Sequence, residues 1–223
     1  MNVQGLFITF EGPDGAGKST QVQKLAHYLQ GKEISYIHTR EPGGTAISDK
    51  IRSLILDPEH SEMVNETEVL LYAASRAQHV REKIIPALEE GKVVLCDRFV
   101  DASIAYQGFG LGIGQDKISE INRFATGGLK PSRTYLIDLS PEEGRKRMME
   151  RYKAANKTEQ FDRIEQKELA YHETVRNGFH QIYETEKDRI YIIDGRQSVE
   201  EIFQQIKDDF DSICSKQGLK MER

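Results

Sequence analysis

Residues Leu6 to Thr20, LFITFEGPDGAGKST, constrain this chain more than any other stretch. Leu6 to Phe10 is a short, mostly apolar run with β-branched and aromatic residues, as in a buried strand. Gly12-Pro13-Asp14-Gly15-Ala16-Gly17-Lys18-Ser19 then fits G-x-x-x-x-G-K-[ST] without a gap, and Thr20 follows. From Lys18 to Gln30, Val22, Leu25, Ala26 and Leu29 recur at helical spacing. Glycines between a strand and a helix can wrap backbone N–H groups around phosphate oxygens. Helix N-terminal amides add positive potential, Lys18 reaches the β/γ-phosphates, and the Ser19 hydroxyl can ligate Mg²⁺. The plainer alternative is a glycine turn capping a helix. A chance match in this length is roughly one in a hundred, and the flanking elements make it rarer. A nucleotide-phosphate site over Gly12 to Thr20 is expected.

Apolar runs alternate with helical patterns through the rest of the chain. Strands are predicted at Ser35–His38, Val93–Cys96, Thr134–Ile137 and Ile190–Ile193, besides the first. Helical patterns lie near 46–56, 66–89, 117–125, 141–152, 165–183 and 199–214. Strands joined by helices predict an α/β fold, a five-stranded parallel sheet with helices on both faces. In such sheets ligands sit beyond the carboxyl ends of the strands. That rule selects the P-loop, Thr39-Arg40-Glu41-Pro42-Gly43-Gly44 and Asp97-Arg98-Phe99.

Composition sets looser bounds. The 223 residues suit one large domain, and no linker-like stretch divides them. A net charge of −5 argues against non-specific nucleic-acid binding, which needs a basic face. No apolar run is long enough to span a membrane, and Met1 to Gln4 does not read as a signal peptide. Cys96 and Cys214 are far apart and outside any C-x-x-C, so neither a disulfide framework nor a zinc site is expected. A soluble, cytoplasmic protein is the expectation.

Six ordered motifs, FEGPDGAGKST, TREPGGT, LLYAASRAQH, LCDRFVDASIAYQG, DLSPEEG and DRIE, resemble the thymidylate (dTMP) kinases in their bacterial form. The resemblance runs over nearly the whole chain. It implies a P-loop nucleoside monophosphate kinase fold, one domain over 1–223 with a mobile lid near 144–165. It also implies transfer of the ATP γ-phosphoryl group to dTMP with Mg²⁺, giving dTDP and ADP in dTTP biosynthesis. A homodimer through the apolar helices around Glu66 to Glu89 is implied as well.

The motifs also carry chemistry of their own. Asp97 could bind Mg²⁺ or its waters, and Arg98 could grip phosphate bidentately. A local ion pair is the plainer reading; placement at a strand end opposite the P-loop favours the first. The resemblance places Arg98 between donor and acceptor phosphates, with Arg52 on the acceptor phosphate. Phe99 stands where tyrosine is commoner. Tyr72 and Arg76, four apart on one helix face, could stack on a pyrimidine and donate to its carbonyl. The plainer reading is a core aromatic beside a solvated arginine, whereas the family uses both positions for thymine, mostly with Phe at the first. Glu41, Ser103, Tyr106 and Gln107 match further acceptor contacts, Gln107 near the base edge and Tyr106 near the sugar C2′. Asp14 matches the position holding the 3′-hydroxyl, and Glu11 one near a magnesium water. Ser19, Asp97 and Glu165 are the implied Mg²⁺ residues, and Arg196 and Gln197 are expected to border adenine.

Gly144 to Glu165 is rich in Lys and Arg, which ordinarily marks a solvated helix. Family members without an arginine in the P-loop supply one from a lid here, and Arg147 and Arg151 are the best matches. Asp162 and Glu165 match the D-x-x-E that follows. Extra residues at about Tyr152 to Phe161 leave open which lid cation acts. Asn156-Lys157-Thr158-Glu159 imitates the guanine-reading N-K-x-D but ends in Glu and follows no strand, so it reads as lid sequence. The acceptor phosphate, with a second pKa near 6, needs no general base. Positioning and charge neutralisation by Lys18, Arg98, Mg²⁺ and lid arginines are expected to suffice. Another P-loop kinase of small acceptors and a nucleotide-binding regulator are the alternatives.

Overall fold

The computed structural model describes residues 5–154 and 161–216. Strands apolar on both faces must be covered on both, and the chain does this with alternating helices. Strands β1 (Phe7–Glu11), β2 (Tyr36–Arg40), β3 (Val93–Asp97), β4 (Arg133–Asp138) and β5 (Ile190–Asp194) form a parallel sheet in the order β2-β3-β1-β4-β5. The helices are α1 (Lys18–Gly31), α2 (Ala46–Leu56), α3 (Asn65–His79), α4 (Ile85–Glu89), α5 (Val100–Ser103), α6 (Gln115–Thr126), α7 (Pro141–Ala154), α8 (Leu169–Thr185) and α9 (Val199–Lys216). Each strand falls on a predicted one.

The alternation of β1 sorts its side chains. Ile8 and Phe10 pack with Leu25 and Leu29 of α1 and with Ile206 and Phe210 of α9. Phe7 packs on the other face with Val80, Ile84, Leu88 and Phe99. Every residue of β1 is buried, as its central place between β3 and β4 requires. The chain runs from β1 out to β2, back to β3, then across β1 to β4. The reversal therefore lies at the carboxyl end of β1, where ligands bind in such sheets.

Three departures from the sequence reading have local causes. The single helix predicted over 66–89 is α3, a π-helical segment Val80–Ile84, and α4. Pro86 lacks an N–H and its ring would crowd the carbonyl of Glu82, which a widened turn relieves. The helix predicted to begin at Glu165 begins at Leu169, because Asp162 Oδ1 accepts from Ile164 N and Glu165 N, both at 2.9 Å, and closes a turn first. A helical stretch absent from the predicted set, α5 continued by π-helical Ile104–Gly110, carries Ser103, Tyr106 and Gln107. The Asn156–Glu159 motif and most of the lid's extra residues lie outside the described residues.

Two glycines set the start of α7. A Cβ on Gly15, whose φ is +79°, would collide with the carbonyl of Gly144, and one on Gly144 with the carbonyl of Asp14. Helix α7 therefore starts in backbone contact with the phosphate loop.

Candidate active site

The strand ends open onto a cavity of about 420 Å³. On one side Gly17, with φ +91°, lets the chain turn from the loop after β1 into α1. Lys18 Nζ donates to the carbonyls of Gly12 (3.1 Å) and Pro13 (2.8 Å). Ser19 Oγ donates to Asp97 Oδ2 at 2.5 Å, which sets a hydroxyl of α1 beside the carboxylate at the end of β3. Burial, aided by the charge on Arg98, pushes the Lys18 pKa down to about 8 against the pull of Asp14 and Asp97.

Arg98 occupies the middle. Its φ of +69° is unusual for a residue with a side chain and commonly costs on the order of 1–3 kcal/mol. Both flanking amides are held by β1: Arg98 N donates to Phe10 O (2.9 Å) and Phe99 N to Glu11 Oε1 (2.7 Å). The twist aims the guanidinium along the cavity, where Nη2 donates to Asp14 Oδ1 (2.5 Å) and Tyr106 Oη (3.1 Å). Burial alone would raise the Asp14 pKa, but Arg98, Lys18 and the Tyr106 hydroxyl drive it well below the usual carboxylate range.

The far wall is built from α3 and the helical stretch after β3. Arg76 is 2% exposed and almost fully engaged. Nε donates to Glu41 Oε2 (2.6 Å), Nη1 to Ser103 Oγ (2.9 Å) and Asn122 Oδ1, and Nη2 to the Phe99 carbonyl (3.1 Å). Four of about five guanidinium donors are thus committed, leaving one on Nη2. Glu41 also accepts from His79 Nδ1 at 3.0 Å, and Arg76 and His79 together outweigh burial and hold its pKa low. Arg52 Nη1 donates to the Pro42 carbonyl at 2.9 Å.

Comparison with known proteins decides what this cavity belongs to. The thymidylate kinase family model matches residues 10–206. A thymidylate kinase of Exiguobacterium sibiricum is 53% identical over 198 residues, 89% of this chain and 90% of that protein. One from Geobacillus sp. is 49% identical over 201 residues, 90% of this chain and 93% of that protein. The solved thymidylate kinase of Ehrlichia chaffeensis superposes with a TM-score of 0.74 at 30% identity, covering 93% of this chain and 98% of that one. The chain belongs to the thymidylate kinase family. Its five-stranded parallel sheet and phosphate loop are the P-loop nucleoside monophosphate kinase fold.

The structure brings most of the predicted site residues to one cavity. Asp14, Gly15, Gly17, Lys18, Ser19 and Thr20 line the cavity on the loop side. Glu41, Arg52, Tyr72, Arg76, Ser103, Tyr106 and Gln107 line the other, with Asp97 and Arg98 between. Arg147, Arg151 and Glu165, from the stretch expected to form a lid, complete the lining. Gly12, Pro13 and Ala16 shape the loop behind this lining. Arg196 and Gln197 are not among the lining residues: Arg196 is exposed and pairs with Asp194 (2.7 Å), and Gln197 Oε1 accepts from Gln205 Nε2 (2.7 Å). Glu11 is fully buried beneath the loop; its Oε1 takes the amides of Phe99 and Ala102 and so braces the Arg98 turn, while its Oε2 meets no donor among the described residues. Burial, with Asp101 nearby, raises the Glu11 pKa to about 8.

Sequence reasoning passed over Asn122 and Glu68. Asn122 lies on α6, with no motif to mark it. Glu68 had a signal, since it stands four residues before Tyr72 and eight before Arg76, on the same stripe of α3.

The depressed Lys18 pKa gives a pH dependence of known sign. Phosphate oxygens bind the protonated amine, so the free protein must recover that proton once pH exceeds about 8. ATP affinity by titration calorimetry is expected to be flat from pH 6.5 to 7.5 and to weaken by up to about tenfold per unit above pH 8. In Lys18→Met that slope should vanish; an identical slope in the variant would assign it to another group.

Proposed function

We propose that the cavity aligns ATP on the P-loop with dTMP against α3 and transfers the γ-phosphoryl group directly between them. One observation carries this reading: the Arg98 guanidinium bonds both to Asp14 of the phosphate loop and to Tyr106 of the opposite wall. A cation there meets both phosphates. Lys18 neutralises the β/γ-phosphates, Arg52 holds the acceptor phosphate, Tyr72 stacks on the base and the remaining Arg76 donor meets its carbonyl. Gln107 reads the base edge, Tyr106 crowds C2′, and Asp14 receives the 3′-hydroxyl. The acceptor is already largely dianionic at neutral pH, so no base is needed. The buried His79 is consistent with this, serving Thr39 (2.7 Å) and Glu41.

Mg²⁺ suits the donor set. Ser19 and Asp97 offer adjacent oxygens, and Glu165 lines the same cavity. Among the described residues no group of three or more His, Cys, Asp or Glu is placed to hold a metal unaided. Ser19 and Asp97 would hold such an ion, which would supply charge neutralisation at the ATP phosphates.

We treat the chain as one kinase domain with its lid near 144–165. Arg147 donates to Glu143 Oε1 (3.2 Å) and to the Gly195 carbonyl (2.9 Å), a tether short enough to exchange for phosphate on closure. Arg196 and Gln197, on the same turn as Gly195, border the adenine side in this reading. Exposed Leu70 on α3, Val64 just before it and Phe124 on α6 supply apolar surface for a homodimer. No described helix is long and apolar enough to cross a membrane. The buried free thiols of Cys96 and Cys214 accord with a cytoplasmic enzyme.

Two measurements test this. ADP release across a panel of nucleoside monophosphates and nucleosides is expected to be fastest with dTMP; a clear preference for another acceptor, or ADP release independent of acceptor, contradicts the assignment. Alanine at Arg147 or Arg151 is expected, for at least one of them, to lower kcat by on the order of 10³ while moving the dTMP KM far less. Lys153→Ala serves as the surface-charge control. Near-normal kcat in both arginine variants assigns the catalytic cation elsewhere.

A further inference from the structure

Glu68 is a carboxylate on α3 that is 1% exposed and is committed at both oxygens. Oε1 accepts from Gln107 Nε2 at 2.9 Å, and Oε2 accepts from Arg163 Nη2 at 2.7 Å. Arg163 belongs to the DRIE motif, and it is itself fixed: its Nε donates to the Ile55 carbonyl (2.8 Å) and its backbone N to that of Leu56 (3.1 Å). An ion-paired carboxylate offers only acceptors, so the Gln107 atom that meets it must be the amide nitrogen. The other end of the amide, the acceptor Oε1, is left for the cavity that Gln107 lines.

We propose that Glu68 is a specificity-determining positioning residue. By holding the Gln107 amide in one of its two orientations, it presents a hydrogen-bond acceptor to ring position 3 of the bound pyrimidine. This deepens the dTMP reading and rests on Gln107 facing the base. Thymine and uracil carry N–H at that position. Cytosine carries an unprotonated nitrogen, so an acceptor facing it leaves two acceptors opposed in a buried site. Turned over, the same glutamine would present N–H and favour cytosine. The chemistry of Gln107 alone therefore cannot choose between the bases; its neighbour makes the choice.

Glu68→Gln tests this with almost no change in shape. Arg163 still needs an acceptor and takes the new Oε1, so the new Nε2 faces Gln107. Gln107 must then present its own Oε1 to Gln at 68 and its Nε2 to the base. The ratio of kcat/KM for dTMP to that for dCMP is expected to fall by about tenfold or more, with the dCMP value rising in absolute terms. A parallel loss on both substrates at unchanged ratio would mean that Glu68 only supports the fold, and overturns the proposal. A second readout needs no variant. In ¹⁵N spectra of the native protein, the Gln107 side-chain NH₂ is expected to be slow to exchange before dTMP is added and to keep its shift afterwards. A large shift or changed partner on dTMP binding also overturns it. Native protein that fails to turn over dTMP strikes the dTMP reading itself, a result distinct from a native preference for dTMP that the variant leaves intact.

Discussion

The left-handed backbone of Arg98 is the constraint on which the site depends. A strand ending in an ordinary turn would not aim a guanidinium back across the sheet toward the phosphate loop. The β1 strand supplies the force that holds the twist, with the Phe10 carbonyl on one side and the Glu11 carboxyl group on the other. Glu11 also takes the Ala102 amide (3.3 Å), so the turn and the start of α5 are fastened together. Asp101 of α5 is in turn gripped by Arg189, with both guanidinium nitrogens at 2.7 Å. Strain at Arg98 is thereby spread into a buried polar network beneath the reactive surface.

Electrostatics follows from that placement. Lys18, Arg98 and Arg52 gather round one cavity, and their mutual repulsion is tolerated because Asp14, Asp97 and Glu41 alternate with them. Burial lowers the Lys18 pKa, and Asp14 stays ionised because two cations face it. Such a preorganised field is costly for an isolated chain to maintain and becomes favourable when polyanionic substrates arrive. Arg147 and Arg151 reach the same cavity from α7, whose first turn touches the phosphate loop through Gly15 and Gly144.

Much of this was legible in the sequence because the phosphate loop imposes a strand before it and a helix after it. The remaining strands announced themselves as β-branched runs, and all five appear. Chain order alone could not say that β3 lies between β1 and β2, yet that order is what brings Asp97 beside Ser19. The helical stretch over Val100–Gly110 escaped notice because it is short and ends on Gly108 and Gly110, which read as a turn, although its Ser103, Tyr106 and Gln107 were identified by resemblance. Arg76, expected to contact the base, is also the hub of Glu41, Ser103, Asn122 and Phe99, partners from distant segments that no local pattern connects. The bracing role of Glu11 was hidden for a related reason: it joins β1 to a turn far along the chain.

The central claim is that the Arg98 guanidinium, held by a strained turn, spans donor and acceptor during transfer. Arg98→Lys tests it most directly, since lysine keeps the charge and bears a similar left-handed backbone cost but has no planar fork. Rapid-quench measurement of a single turnover of ATP and dTMP is expected to show transfer slowed by on the order of 10³. ATP affinity should stay within about threefold. Transfer at close to the native rate in Arg98→Lys would contradict the account and leave the twisted turn without its proposed purpose.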